Sequence, residues 1–123
     1  MKNFLYSSKV IKGIGLAKTL GYPTVNLENP QILKKRKKGV YLCRAKFNKN
    51  YYFGLLYFGP RLIFEEIKDI LEIFIFDFNK EIYGKKIMFR LLKYIRGILD
   101  FEDTEKLKEQ IAIDFETASN LIK

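Results

Sequence analysis

Three glycines and a lysine fall within nine residues, at Gly13, Gly15, Lys18 and Gly21, and run directly into Tyr22-Pro23-Thr24-Val25-Asn26. Backbone N–H groups freed of side chains can approach phosphate oxygens closely, and the Lys18 ammonium can neutralise their charge. The segment is not a Walker A loop, because it lacks the Gly-Lys-Ser/Thr ending. Thr24 and Asn26 are two residues apart, so in an extended chain they point to one side. A hydroxyl and a carboxamide oxygen are hard ligands of the kind Mg²⁺ accepts beside phosphate and water. The same residues also read as a plain Gly-rich connection before a proline turn.

Two further residues stand out. Glu72, in Leu71-Glu72-Ile73-Phe74-Ile75-Phe76, is a carboxylate inside a run that is apolar on both faces. Strands of that kind are usually buried, and period two puts Glu72 on the face of Phe74 and Phe76. It is a candidate general base, or else a strand-end Glu that pairs with a lysine. Arg96, in Tyr94-Ile95-Arg96-Gly97-Ile98-Leu99-Asp100-Phe101, follows a strand-like run, with Phe101 able to offer a flat apolar surface. An ordinary surface arginine fits as well.

Composition narrows the chemistry. The chain has 123 residues, no His, no Trp and one Cys, Cys43. Catalysis through Ser-His-Asp or Cys-His is therefore excluded, as are imidazole-ligated metals, disulfides and four-thiolate zinc. Acid–base work must fall to a carboxylate, Lys, Tyr or the lone thiol, which reads as a small core hydrophobe. No apolar run approaches the roughly 20 residues of a membrane-spanning helix, and no signal peptide is recognisable, so a cytoplasmic location without membrane partners is expected. A monomer is expected as well. The net charge is +9, unevenly placed: residues 1–50 carry 12 Lys/Arg and one acid, Glu28, while residues 51–123 are close to balanced. The first half thus suits a polyanion, whether nucleotide phosphates, nucleic acid or a membrane surface. A nucleic-acid-binding barrel would use the basic run Lys34-Lys35-Arg36-Lys37-Lys38 with aromatic rings for stacking.

These side chains need a frame. Phe4–Lys12, Gly39–Phe47, Tyr51–Phe58, Leu71–Phe78 and Lys86–Ile95 are rich in Val, Ile, Phe and Tyr and read as strands. Asn48-Lys49-Asn50 and Asn79-Lys80-Glu81 with Tyr83-Gly84 read as chain reversals. Successive strands without intervening helices argue for a small antiparallel barrel or sandwich. From Asp103 onward Leu107, Ile111, Phe115, Ala118 and Ile122 follow helical spacing, with Asp103 or Thr104 as N-cap and Glu105 in the first turn. One domain over residues 1–123 is expected, without linker or repeat.

Taken in order, these motifs resemble the ATP-dependent riboflavin kinase (flavokinase) family across nearly the whole chain. Gly21-Tyr22-Pro23-Thr24-Val25-Asn26 resembles its G-[FIY]-P-T-[AV]-N signature, and Gly39-Val40-Tyr41 its G-[VI]-Y. Phe58-Gly59-Pro60-Arg61 stands where the family has an Ile-Gly loop, and Leu71-Glu72 matches its Leu/Met-Glu strand. Tyr83-Gly84, Ile95-Arg96, Phe101 and a terminal helix with Gln110 and Asp114 follow at fitting distances. The sequence departs from the family pattern at Leu16, Ala17, Leu62-Ile63-Phe64 and Phe74.

The resemblance implies a mainly β, six-stranded antiparallel Greek-key barrel with a C-terminal α-helix. It also implies Mg²⁺-dependent transfer of the ATP γ-phosphoryl group to the 5′-hydroxyl of riboflavin, giving FMN and ADP. Carried over by position, Glu72 would be the base, and Thr24 and Asn26 would hold Mg²⁺. Gly13, Gly15, Lys18, Gly21, Pro23, Thr24, Ile75, Asp77 and Tyr83 would bind the nucleotide; Arg96, Leu99 and Phe101 would contact the flavin. The expected partners are riboflavin and ATP, with no specific nucleic acid. Relatives that also make FAD carry an adenylyltransferase domain with an H-x-G-H motif, so a chain without His is expected to make FMN only. A relative that binds flavin without efficient transfer, and the nucleic-acid module above, are the alternatives.

Overall fold

The computed structural model describes residues 5–12, 24–65 and 67–122. Six antiparallel strands form the body: β1 (Tyr6–Ile11), β2 (Val25–Leu27), β3 (Gly39–Phe47), β4 (Asn50–Gly59), β5 (Ile70–Ile75) and β6 (Lys86–Arg96). They close into a barrel in the order β1-β2-β5-β4-β3-β6. β3, β4 and β5 follow one another as neighbours and β6 returns beside β3, which is the Greek-key arrangement anticipated above. A single helix, α1 (Thr104–Leu121), follows β6. Among the described residues, no helix is long and apolar enough to cross a membrane.

Local chemistry sets the boundaries. Phe47 pairs with Asn50 across the β3–β4 turn, where Asn48 takes a positive φ of 57° that Asn tolerates better than most side chains. β5 is shorter than the predicted Leu71–Phe78 because the chain turns at Phe76-Asp77, with Asp77 at φ 58°. β2, three residues long, carries too short an alternation to be read as a strand from sequence. Between β5 and β6, Gly84 at φ 82° donates its N–H to the Val10 carbonyl at 2.8 Å and so ties that reversal to β1. Gly39 begins β3 at φ 149°, and a Cβ there would lie 2.1 Å from the Arg96 carbonyl oxygen. Only glycine lets β3 approach β6 so closely.

The core has two parts. Inside the barrel lie Val10, Leu33, Leu56, Phe58, Ile73, Ile87 and Phe89, among others, with Cys43 fully buried as expected. The second cluster lies outside the barrel wall, where Ala118 of α1 packs with Val40, Leu42, Leu55 and Tyr57. This cover explains why β3 and β4 are apolar on both faces at one end: the outward side chains meet the helix instead of water. Beyond the helix the outward residues of β3 become Arg44 and Lys46.

Helix α1 begins where expected, with the Asp103 carboxylate accepting the Lys106 N–H at 2.9 Å. Its buried face differs from the predicted stripe. Leu107, Asp114 and Ala118 are buried, whereas Phe115 is 40% exposed and Ile122 lies beyond the helix end. Phe115 still touches the barrel, with its ring 5.1 Å from that of Phe76 and 6.0 Å from that of Phe74. Asp114 takes a core position because the barrel offers it a guanidinium.

Candidate active site

Glu72 sits at the middle of β5, opposite Asn26 on one side and Tyr57 on the other. In an antiparallel sheet opposed residues share a face, so Asn26, Glu72 and Tyr57 form one row across β2, β5 and β4 on the outside of the barrel. Glu72 is 7% exposed. The Arg61 guanidinium ion-pairs with its Oε1, and the Thr24 hydroxyl donates toward Oε2 at 3.4 Å. The strand-end alternative, with Glu72 reaching solvent, does not hold. Its cation is Arg61 and not a lysine.

Arg61 is placed by Tyr57 beneath it. Its guanidinium carbon lies 3.7 Å from the centre of the Tyr57 ring, and the Tyr57 hydroxyl donates to the Pro60 carbonyl. That hydrogen bond anchors the loop after β4, while the ring supports the charge it carries. Burial pushes the Tyr57 phenol above its ordinary value, with Arg61 and Arg96 pulling the other way. Neither Arg61 nor Tyr57 was assigned a role from sequence. Period two and the pairing of β4 with β5 would have placed Tyr57; Arg61 lies on a loop, where periodicity carries no signal.

Arg96 ends β6 on the same side. Its Nε donates to both Asp114 carboxylate oxygens at 2.9 and 3.0 Å, and Nη2 donates to Oδ2 at 2.7 Å. Nη1 donates to the Gly97 carbonyl and the Gln110 amide donates to Asp114 Oδ1, both at 3.0 Å. A planar fork matched to a carboxylate in this way is fixed in direction. The side chains are 14% and 5% exposed, so the surface-arginine alternative also fails.

Two clefts meet at Thr24. One runs between barrel wall and helix, lined by Tyr57, Arg61, Glu72, Phe74, Arg96 and Asp114. The other opens at the barrel mouth, lined by Val25, Ile75, Phe78, Lys80 and Tyr83 among others. Thr24 belongs to both. The structure therefore brings Thr24, Glu72 and Arg96 together around one cleft, and Thr24, Ile75 and Tyr83 around its neighbour. Asn26 stands beside Glu72 in the strand register.

Other assigned residues are not brought in. Asp77 lies at an exposed turn and lines a separate depression with Arg44 and Phe53. Leu99, 45% exposed, and Phe101 sit on the connection between β6 and α1 and line neither cleft. Gly13, Gly15, Lys18, Gly21 and Pro23 lie outside the described residues.

Thr24 and Asn26 offer neutral oxygens beside a carboxylate, a donor set suited to a hard cation that keeps waters and phosphates as its remaining ligands. Among the described residues no group of three or more His, Cys, Asp or Glu could hold a metal alone. The chemistry of this donor set fits Mg²⁺ carried with a nucleotide and not a dedicated protein cage.

The riboflavin kinase family model matches residues 1–122. An RNA-binding riboflavin kinase of Bacillus subtilis is 33% identical over 111 residues, covering 89% of this chain and 47% of its own length. A bifunctional riboflavin kinase/FMN adenylyltransferase of the same organism is 36% identical over 123 residues, covering 93% of this chain and 38% of its own. The crystal structure of riboflavin kinase from Trypanosoma brucei has a TM-score of 0.65 at 18% identity, covering 94% of this chain and 77% of that one, a likeness of fold. The chain spans 18% to 47% of the length of the first curated relatives it matches. With the barrel, the paired motifs and the match over residues 1–122, this chain belongs to the riboflavin kinase family.

Proposed function

We propose that the chain is a riboflavin kinase that transfers the γ-phosphoryl group of ATP to the 5′-hydroxyl of riboflavin, giving FMN and ADP. The observation that carries this reading is Thr24 as the shared wall of two clefts, with Glu72 beside it. Two substrates bound in adjoining clefts must meet at such a junction, and in-line phosphoryl transfer depends mainly on that positioning.

In this reading the nucleotide occupies the cleft of Ile75 and Tyr83, with phosphates directed toward Thr24; phosphate contact by Gly13, Gly15, Lys18 and Gly21 is proposed from the family resemblance. The flavin occupies the cleft under α1, near Arg96. Glu72 accepts the proton of the ribityl 5′-hydroxyl as that oxygen bonds to the γ-phosphorus, and the bond from the γ-phosphorus to the bridging oxygen of ADP breaks. Thr24 and Asn26 hold Mg²⁺, which supplies neutralisation of phosphate charge. Arg61, paired with the carboxylate and seated on Tyr57, sets where the base stands. No covalent nucleophile and no His are needed, in keeping with the composition. We further propose that this chain alone forms no FAD, and that it works as a cytoplasmic monomer.

Incubation with riboflavin, ATP and Mg²⁺, followed by chromatography, tests the reading. FMN and ADP in equal amounts are expected. Flavin binding without FMN would establish instead a relative that binds without transfer.

A further inference from the structure

Four adjacent strands, β4-β3-β6-β1, contain no Asp or Glu, yet they carry Lys9, Arg44, Lys46, Lys86, Arg90, Lys93 and Arg96. Arg96 is neutralised by Asp114. Among the described residues, the other six make no ion pair, and none lines either cleft of the candidate active site. Strand register puts five of them on one outer wall: Lys9 is opposite Lys86, Arg44 is opposite Arg90, and Lys46 stands between Met88 and Tyr51, while Lys93 is opposite Leu42, which packs with the helix.

Two of these are like-charge pairs directly across a sheet, an arrangement that works against folding. Carboxylates approach only the margins of the wall: Glu28 donates its N–H to the Lys9 carbonyl at 2.9 Å, and Asp77 lines a depression with Arg44, but among the described residues neither forms an ion pair with these cations. The basic run 34–38 behaves differently. Arg36 Nε donates to the Tyr6 hydroxyl at 2.9 Å, Lys37 lies 4.6 Å from the Tyr94 ring centre, and Lys38 pairs with Asp69 at 3.0 Å.

The wall also carries planar groups. The Arg44 guanidinium lies 4.0 Å from the Phe53 ring centre, and Lys46 lies 5.5 Å from that of Tyr51, which is 50% exposed. Arg44, Tyr51 and Phe53 together line a depression, a place where an unpaired base can stack while neighbouring cations meet phosphates. Rings already covered by cations are poorly placed to insert among lipid chains.

We infer that this wall binds single-stranded RNA, without sequence preference, separately from the phosphoryl-transfer site. Binding of this kind is compatible with the expectation of no specific nucleic-acid partner.

The test is fluorescence anisotropy with a labelled mixed-sequence RNA of about 20 nucleotides, over roughly 50 to 200 mM salt. Binding should weaken linearly in log–log form. The triple variant Lys46→Gln/Lys86→Gln/Arg90→Gln should lose about tenfold or more in affinity, with the salt slope falling by about two, near 0.7 per cation removed. FMN formation by the triple variant should match that of the parent chain. Because like-charge pairs are relieved, the thermal midpoint of Arg90→Gln alone should hold or rise. Absence of RNA binding, unchanged binding by the triple variant, displacement of RNA by ATP, loss of binding on Lys34→Gln/Lys35→Gln instead, capture only by anionic phosphatidylserine vesicles, or a lowered midpoint in Arg90→Gln would each overturn the inference.

Discussion

Arg61 and Glu72 are ion-paired although they come from a loop and a strand on the covered side of the barrel, with side chains only 12% and 9% exposed. Thr24 approaches the other carboxylate oxygen at 3.4 Å, so the proposed base is held from two directions. Replacing Glu72 by Gln keeps the size of the group and removes its capacity to accept a proton. FMN formation should fall about 10²–10⁴-fold, the usual loss for a general base. Riboflavin binding, followed by quenching of flavin fluorescence, should stay within a few-fold of the parent.

The pairing itself is measurable. If Arg61 and Glu72 depend on each other, Arg61→Ala and Glu72→Gln will not add. A double-mutant cycle from urea midpoints should give a coupling of about 0.5–3 kcal/mol, as for residues in direct contact. A coupling near zero would mean that the contact does not contribute to the fold.

Thr24 and Asn26 are proposed to hold the divalent cation beside the phosphates. Thr24→Ala and Asn26→Ala should each raise the Mg²⁺ concentration that gives half-maximal FMN formation. The Mg²⁺ titration at saturating ATP and riboflavin reads this directly, and an unchanged half-maximal concentration would remove the ligand assignment.

Much of the frame was legible because strands announce themselves by alternation and turns by Asn and Gly. β3 spans Gly39–Phe47 as read, and α1 starts at its Asp103 cap. Glu72 was visible as a charge in an apolar run, and its burial follows from α1 covering that wall. Arg61 was not visible, since a loop residue acquires its partner only through tertiary structure. The same holds for Asp114. Helical spacing favoured Phe115, but the Arg96 guanidinium makes an acid the buried residue one position earlier. Leu99 and Asp77 follow from family resemblance alone and Phe101 partly so, and the fold places all three outside both clefts.

Cys43 is fully buried in the barrel, and burial pushes its thiol well above the ordinary value of 9.0. In the unfolded chain that thiol ionises first, so above pH 9 the unfolded state binds fewer protons and stability falls as pH rises. The contribution is fully present below the unfolded value. Relative to Cys43→Val, the parent chain should lose about 1.4 kcal/mol per pH unit above that value. Urea midpoints of both proteins from pH 7 to 10.5 check the slope; parallel curves would contradict it.

The Arg96–Asp114 pair joins the end of β6 to the helix that roofs the cleft proposed to hold the flavin. Breaking a buried pair from one side leaves the remaining charge without its partner, at a cost of about 3–5 kcal/mol. Asp114→Ala should therefore destabilise the chain by that order in urea unfolding, although the substituted residue is a helix former. The Gly97 carbonyl takes a single Arg96 donor, and the Gln110 amide, whose oxygen can accept, carries no charge to replace the carboxylate. Replacing both partners with apolar groups of similar size, Arg96→Met with Asp114→Leu, should recover most of the stability, since the desolvated charges go together. Arg96 is also proposed to contact the flavin, so the double variant should fold yet bind riboflavin weakly. Recovery of the urea midpoint without recovery of riboflavin binding would separate the two roles of Arg96. Equal recovery of both would leave it only the structural one.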